Sequence, residues 1–422
     1  MNKKICYVLL KVYALLIITS FISCNNKTTN EDITENFSNN NGDYLTFLLD
    51  DESEKNEGLI MSSLFRSAKP ILLEITDSSL IGKISKLEEF DNKLIILDSF
   101  IAKSIFVFDM DGHFLRRIGN LGEGPGEYSR ISDFTIDRDN GNIYALDDNR
   151  QVVNIYRISD GMFLDKINIR KDGLVSFNIQ YVDGQLYVDN YYTNNKKGIT
   201  KFMLRTIDIN TGKTNKLLLN VDDYNKGYNE MVFTGKGVFF SREKDPLYLQ
   251  AYMDTILSLS RDQVSPHIVL KSEYLTVKED LLNNNSKDRR NYNSASIFDN
   301  LIQSKKFHSF EYLIETDEFI LIQCLFKNLF QLLYYDKKEK KTTVYNFLND
   351  DVLFKFFDFK KNKTSIDYLF DTSKGVYFVI QRTSDFINDI NQYGFNEGVN
   401  YNFDLSEINS ESNPMIIYYE FK

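Results

Sequence analysis

From residue 83 onward, short apolar runs recur in groups of four, divided by polar turns that fall at the same place in each group. Runs this short, bounded by Gly, Asn and Asp, predict strands and not helices, and a repeated group of four predicts a repeat architecture. First strands begin at Lys86-Leu87, Asp133-Phe134, Asn178-Ile179, Glu230-Met231, Glu311-Tyr312 and Asp367-Tyr368, each a polar residue followed by an apolar one. Second strands follow at Leu94 to Leu97, Ile143 to Leu146, Leu186 to Val188, Val238 to Phe240, Phe319 to Ile322 and Val376 to Ile380. Asp98, Asp147 and Asp189 end the first three of these.

Third strands such as Ile105 to Phe108, Val153 to Tyr156, Leu204 to Ile207 and Leu332 to Tyr335 lead into turns. At Asp111-Gly112, Asp160-Gly161 and Thr211-Gly212 the glycine supplies the positive φ that a hairpin requires. Fourth strands are expected at Phe114 to Ile118, Phe163 to Ile169, Lys216 to Leu219, His267 to Leu270 and Thr343 to Phe347. The sixth unit ends on its third strand, Met415 to Phe421, so its fourth must come from Pro70 to Ile75. The fold class is therefore all-β: a six-bladed β-propeller of four-stranded antiparallel blades, closed by pairing an N-terminal strand with the C-terminal one, which removes the exposed sheet edges. Residues 272–307 and 383–413 break the period and read as insertions on one rim, candidate partner surfaces.

The first residues follow another pattern. Lys3 and Lys4 precede an apolar run from Val12 to Ile22, too short for a membrane span and suited to a secretion signal over residues 1–23. Phe21-Ile22-Ser23-Cys24 resembles a bacterial lipobox, which implies lipid attachment at Cys24, and several acyl chains at about 0.8 kcal/mol per buried methylene make a firm anchor. Asn25 after Cys24 favours the outer membrane; which side of it the protein faces stays open. Residues 24–57 are rich in Asn, Glu, Thr and Ser and read as a flexible tether with a short apolar island at Tyr44 to Leu49, leaving 58–422 for the propeller.

Composition supports the all-β reading, with 26 Tyr, 33 Phe and no Trp in 422 residues. The formal charge of -10 repels phosphate backbones and argues against a nucleic-acid partner. Cys6 lies in the signal and Cys24 at its end, so Cys324 is alone in the folded body, a small core residue with no disulfide to form within the chain.

Leu80-Ile81-Gly82-Lys83-Ile84, Phe108-Asp109-Met110-Asp111-Gly112, the stretch Gly119-Asn120-Leu121-Gly122-Glu123-Gly124-Pro125-Gly126-Glu127-Tyr128, Asp133-Phe134-Thr135-Ile136-Asp137, Met253-Asp254-Thr255-Ile256 and Asn413-Pro414-Met415 together resemble the six-bladed, NHL-like β-propeller lipoproteins of Bacteroides-type bacteria. The resemblance implies fold, export and anchoring; it carries no catalytic residues.

Candidate chemistry is sparse. Gly119, Gly122, Gly124, Pro125 and Gly126 do not make a phosphate loop, because no Lys-Ser/Thr follows and Glu123 and Glu127 would repel an anion; the segment reads as a structural crossover between blades. Asp109-Met110-Asp111-Gly112 and Asp137 to Gly141 lack the ligand spacing of a calcium loop. His113, His267 and His308 are scattered, and serine-hydrolase and zincin motifs are absent. The repeat itself gives the most informative set. Lys86, Asp133, Asn178, Glu230, Glu311 and Asp367 are expected to ring the central channel, with Asp98, Asp147 and Asp189 around the same opening. Converging carboxylates suit a divalent cation, an acid/base pair or a polyhydroxylated ligand, and equally a hydrated channel mouth whose acids cap turns or pair with Lys86.

The leading function is a membrane-anchored, non-enzymatic binding or scaffold lipoprotein that presents a propeller face to a protein or glycan partner. The alternative is a metal-dependent, lactonase-like hydrolase or a polysaccharide-cleaving enzyme that uses the channel acids.

Overall fold

The computed structural model describes residues 44–48, 54–171, 174–192, 202–224, 239–240, 245–250, 253–261, 263–275, 307–326, 329–355, 357–358 and 366–422. All of them fall in one compact unit spanning residues 34–422. Six antiparallel sheets stand in a ring as the blades of a propeller. Blade one is Lys86–Phe90, Lys93–Asp98, Ser104–Asp109 and Phe114–Ile118, from the innermost strand outward. Blade two runs Asp133–Asp137, Asn142–Asp147, Val152–Arg157 and Phe163–Asn168; blade three runs Ile179–Val182, Gln185–Asp189, Phe202–Asp208 and Thr214–Asn220.

The second strands are continuous apolar runs because both of their faces are buried. Side chains alternate across a strand, so successive residues enter different inter-blade cores. In blade one, Leu94 and Ile96 pack with Tyr377 and Val379 of blade six, whereas Ile95 and Leu97 pack with Phe134 and Ile143 of blade two. Blade six repeats the division: Tyr377 and Val379 face blade one, and Val376, Phe378 and Ile380 face blade five. Cys324 is fully buried in the core shared by blades three to five, as expected of a small apolar residue.

Blade four is described from its expected second strand outward. Its innermost described strand is Phe239–Phe240, which pairs with Leu247–Tyr248, followed by Thr255–Leu259 and Val264–Lys271. Among the described residues, the segment expected as second strand is the innermost of this sheet, and the buried run Leu247 to Leu249 follows it. Glu230-Met231 lies outside the described residues, as does most of the insertion at 272–307.

Closure joins Phe65–Leu72 to Met415–Phe421, from Phe65 opposite Phe421 to Leu72 opposite Met415. The strand starts five residues before the expected Pro70 because Arg66 and Ser67 point outward, where both engage Glu420, and so interrupt the apolar pattern. The tether reading does not extend to all of 24–57. Leu45–Leu48 adds a parallel strand to the outer edge of blade four, and Glu54–Ile60 adds one to Lys341–Asp350 of blade five. Phe47 is fully buried and stacks on Tyr335 at 4.4 Å. The insertion at 383–413 is packed in place: Phe386 and Ile390 of its helix, Thr383–Tyr393, join Leu353 and Phe354 in the core between blades five and six.

Candidate functional site

The innermost strands begin, and the second strands end, on one face of the propeller, since Lys86 pairs with Leu97 and Asp133 with Leu146. The structure brings Lys86 and Asp133 together on that face. Lys86 Nζ lies 2.9 Å from Asp133 Oδ1 and 2.6 Å from the Phe134 carbonyl oxygen, with Glu88 Oε1 at 3.5 Å. Burial works against the ammonium, but Asp133 and Glu88 outweigh it and hold its pKa above the ordinary lysine value. Asp133 Oδ2 also accepts the Ile179 N–H at 3.0 Å, so one carboxylate joins blades one, two and three. Asn178 does not share this contact. Its amide nitrogen turns to Asp189 at 2.5 Å.

Asp98, Asp147 and Asp189 are fully buried, and each holds the incoming inter-blade crossover against its blade. Asp98 accepts N–H bonds from Gly82 and Lys83 of the crossover and from Phe100, Ile101 and Ala102 of the following turn. Asp147 takes Ser129 and Arg150 in the same way. Asp189 takes Phe177 and Asn178, and burial pushes its carboxyl up to about 7. An acid at the end of a second strand is thus an anchor whose oxygens face backbone donors and not a ligand.

The remaining ring positions are less uniform. Glu311 lies at an irregularity midway along Phe307–Glu315, displaced from the strand start where it was expected, and Asp367 lies opposite Val379 near the start of Ile366–Asp371; Glu230 is outside the described residues. Among the described residues, no three or more His, Cys, Asp or Glu side chains gather where they could hold a metal ion. The described part of the ring does not fit a divalent cation, because Asp133 is engaged by Lys86 and the three aspartates by N–H groups.

The glycine-rich segment joins blades one and two and is held by its own hydrogen bonds. Gly122 N–H donates to Tyr128 O and Gly124 N–H to the Glu127 carboxylate, so neither is turned to a phosphate. Gly126 has φ +73, and a Cβ there would stand 2.7 Å from the Phe163 ring.

One concavity on this face escaped the sequence reading. A cleft of about 640 Å³ opens between blades six and one. One wall comes from Leu80, Ile81, Ile101 and Ala102, with Asp77 and Arg117 beside them; the other comes from Arg382, Thr383 and Ser384 at the helix start and from Ser410 to Ser412 with Pro414. Gln381 fixes its floor by bonding Ile84 through both N–H and carbonyl, at 3.1 and 2.9 Å. Leu80 is 56% and Ile101 68% exposed, and the neighbouring Phe100 is 46% exposed. The available signal was Phe100-Ile101-Ala102, three apolar residues in a turn where polar ones are the rule.

Six four-stranded sheets in a ring, stitched together at the mouth of the channel, define a six-bladed β-propeller. Within that class the chain belongs to the DUF4934 family, a domain of unknown function, which matches residues 45–420. Among solved structures it is similar to a protein of Bacteroides fragilis thought to be exported, at 19% identity and a TM-score of 0.67 over 90% of this chain and all of that one. It is also similar to a member of the duf4221 family from Bacteroides vulgatus, at 13% identity and a TM-score of 0.47 over 85% of this chain and 97% of that one. None of the curated proteins matches the chain.

Proposed function

We propose that this protein is an exported, lipid-anchored, NHL-like propeller that binds a protein or glycan partner on the face where its crossovers lie. The observation that carries this reading is the contrast on that face: Asp98, Asp133, Asp147 and Asp189 are engaged within the fold, while Leu80, Phe100 and Ile101 stand exposed beside an open cleft. Apolar side chains grouped in this way on an otherwise polar surface mark a contact region. Export and anchoring rest on the charged and apolar N-terminus and on Cys24; among the described residues, no helix is long and apolar enough to cross a membrane.

Two measurements test it. Photo-crosslinking in intact cells from position 100 should give discrete adducts, and the same probe at Leu164, on the outer strand of blade two, should not; equal labelling at both would remove the reading of a dedicated face. Metabolic labelling with a fatty acid should mark the wild type and leave Cys24→Ser unlabelled.

A further inference from the structure

Resting on the reading of this face as a binding surface, we infer that the cleft between blades six and one takes an extended peptide segment that carries an aliphatic side chain between charges of both signs. The cleft restricts its ligand in three ways. Its volume of about 640 Å³ accommodates a few residues and lies within the range of pockets that hold small ligands. Its apolar lining is aliphatic, from Leu80, Ile81, Ile101 and Pro414, and the exposed ring beside it, Phe100, carries Lys83 Nζ over its face at 5.1 Å. Each wall also carries one charge of each sign, Asp77 with Arg117 and Glu411 with Arg382. A polyanion or a polycation would meet like charge on both walls, whereas a chain with both signs can complement them.

The cleft is also built where the two ends of the propeller meet. Asp77 to Gly82 follow the closing strand and Ser410 to Pro414 precede the last one, and Asn413 beneath them bonds both Ile81 and Ser79. An occupant that touches both walls therefore holds the ring shut. Its binding must raise the unfolding temperature by mass action.

The test is calorimetric titration of the mature chain with acetyl-Lys-Leu-Asp-amide, with acetyl-Ser-Leu-Ser-amide, acetyl-Lys-Ser-Asp-amide and an uncharged glucan oligosaccharide as comparisons. The expected result is saturable binding of the first peptide at roughly millimolar or tighter affinity. It should weaken in ~0.5 M salt and fall about tenfold in both Ile101→Ser and Arg382→Ser. Ile101 is exposed, so its variant should melt with the wild type, and a melting curve verifies this. No saturation by the charged leucine peptide, stronger binding of the glucan, or unchanged affinity in both variants overturns the inference. If the peptide fails while position 100 still crosslinks, only the peptide assignment falls; if both fail, the binding-face reading falls with it.

Discussion

The side-chain oxygen of Asn413 accepts the Ile81 N–H at 2.8 Å, and with that bond the loop before the last strand holds the segment that follows the closing strand Phe65–Leu72. Its amide nitrogen donates to the carbonyl oxygens of Ser79 at 2.9 Å and Glu74 at 3.1 Å, and the residue is fully buried. Asn413→Ala would remove the side-chain partner of the Ile81 N–H and of the Ser79 carbonyl, at about 1–3 kcal/mol each, while the Glu74 carbonyl keeps its bond from Ser79 Oγ. The expected outcome is a loss of about 2–4 kcal/mol in denaturant unfolding with an unchanged m-value. A loss below ~0.5 kcal/mol would mean that pairing of Phe65–Leu72 with Met415–Phe421 closes the ring unaided.

Asp189 ties stability to pH. Burial raises its folded carboxyl to about 7, bonds from Asn178 and Phe177 oppose that rise, and Asp133 adds to it; in the unfolded chain the value is about 3.9. Between those values the native state binds more protons than the unfolded one. The contribution of Asp189 is therefore full below about pH 4 and is lost as pH climbs through about 7, the reverse of an ordinary ion-paired carboxylate. Thermal melts should show wild type losing stability over that window and Asp189→Asn losing less. Asp350, whose carboxyl is raised to about 6 by burial, and Asp148, raised by burial against Arg130, should contribute to the remaining slope. Parallel profiles for the two proteins would refute this assignment.

Much of the fold was legible because a propeller strand buried on both faces leaves an apolar run that polar turns delimit. The runs from Leu94 to Leu97 and from Val376 to Ile380 show it directly. Edge strands were harder to read. Leu45–Leu48 and Phe65–Leu72 bury only some of their side chains, so Thr46, Arg66 and Ser67 made them resemble tether or loop. The candidate site was legible in position, and its chemistry was left open between a ligand site and acids that cap turns or pair with Lys86: aligned repeats placed Asp98, Asp147 and Asp189 on one face, but the repeat alone could not show which backbone N–H groups of the crossovers would occupy their oxygens. The cleft was illegible because residues far apart in sequence, such as Ile101 and Pro414, line it together.

The N-terminal strands make a prediction of their own. Phe47 inserts from outside into the core shared by blades three to five and stacks on Tyr335. Phe47→Ala should cost about 3 kcal/mol, as for other buried phenylalanines. Limited proteolysis near residue 48 should quicken with it. If neither changes, the strand on blade four contributes nothing to the fold.

Arg205 is fully buried on the third strand of blade three. Its Nη2 donates to the Ile169 carbonyl at 2.8 Å and to Ser176 Oγ at 3.3 Å, while Nε and Nη1 have no partner among the described residues. Burial lowers its pKa to about 10, against the favourable field of Asp189, so the side chain stays charged at neutral pH. A buried charge with most of its N–H donors unused is costly, and replacing buried ionic groups by apolar residues of similar volume is commonly neutral or stabilising by about 1–4 kcal/mol. Against that gain stands the loss of two hydrogen bonds to the crossover between blades two and three, about 1 kcal/mol each. Arg205→Met should therefore change the unfolding free energy by no more than ~2 kcal/mol in either direction, read by denaturant titration. A fall of more than ~2 kcal/mol would show that the guanidinium's hold on Ile169 and Ser176 outweighs its desolvation, and that this crossover depends on Arg205 as the others depend on their aspartates.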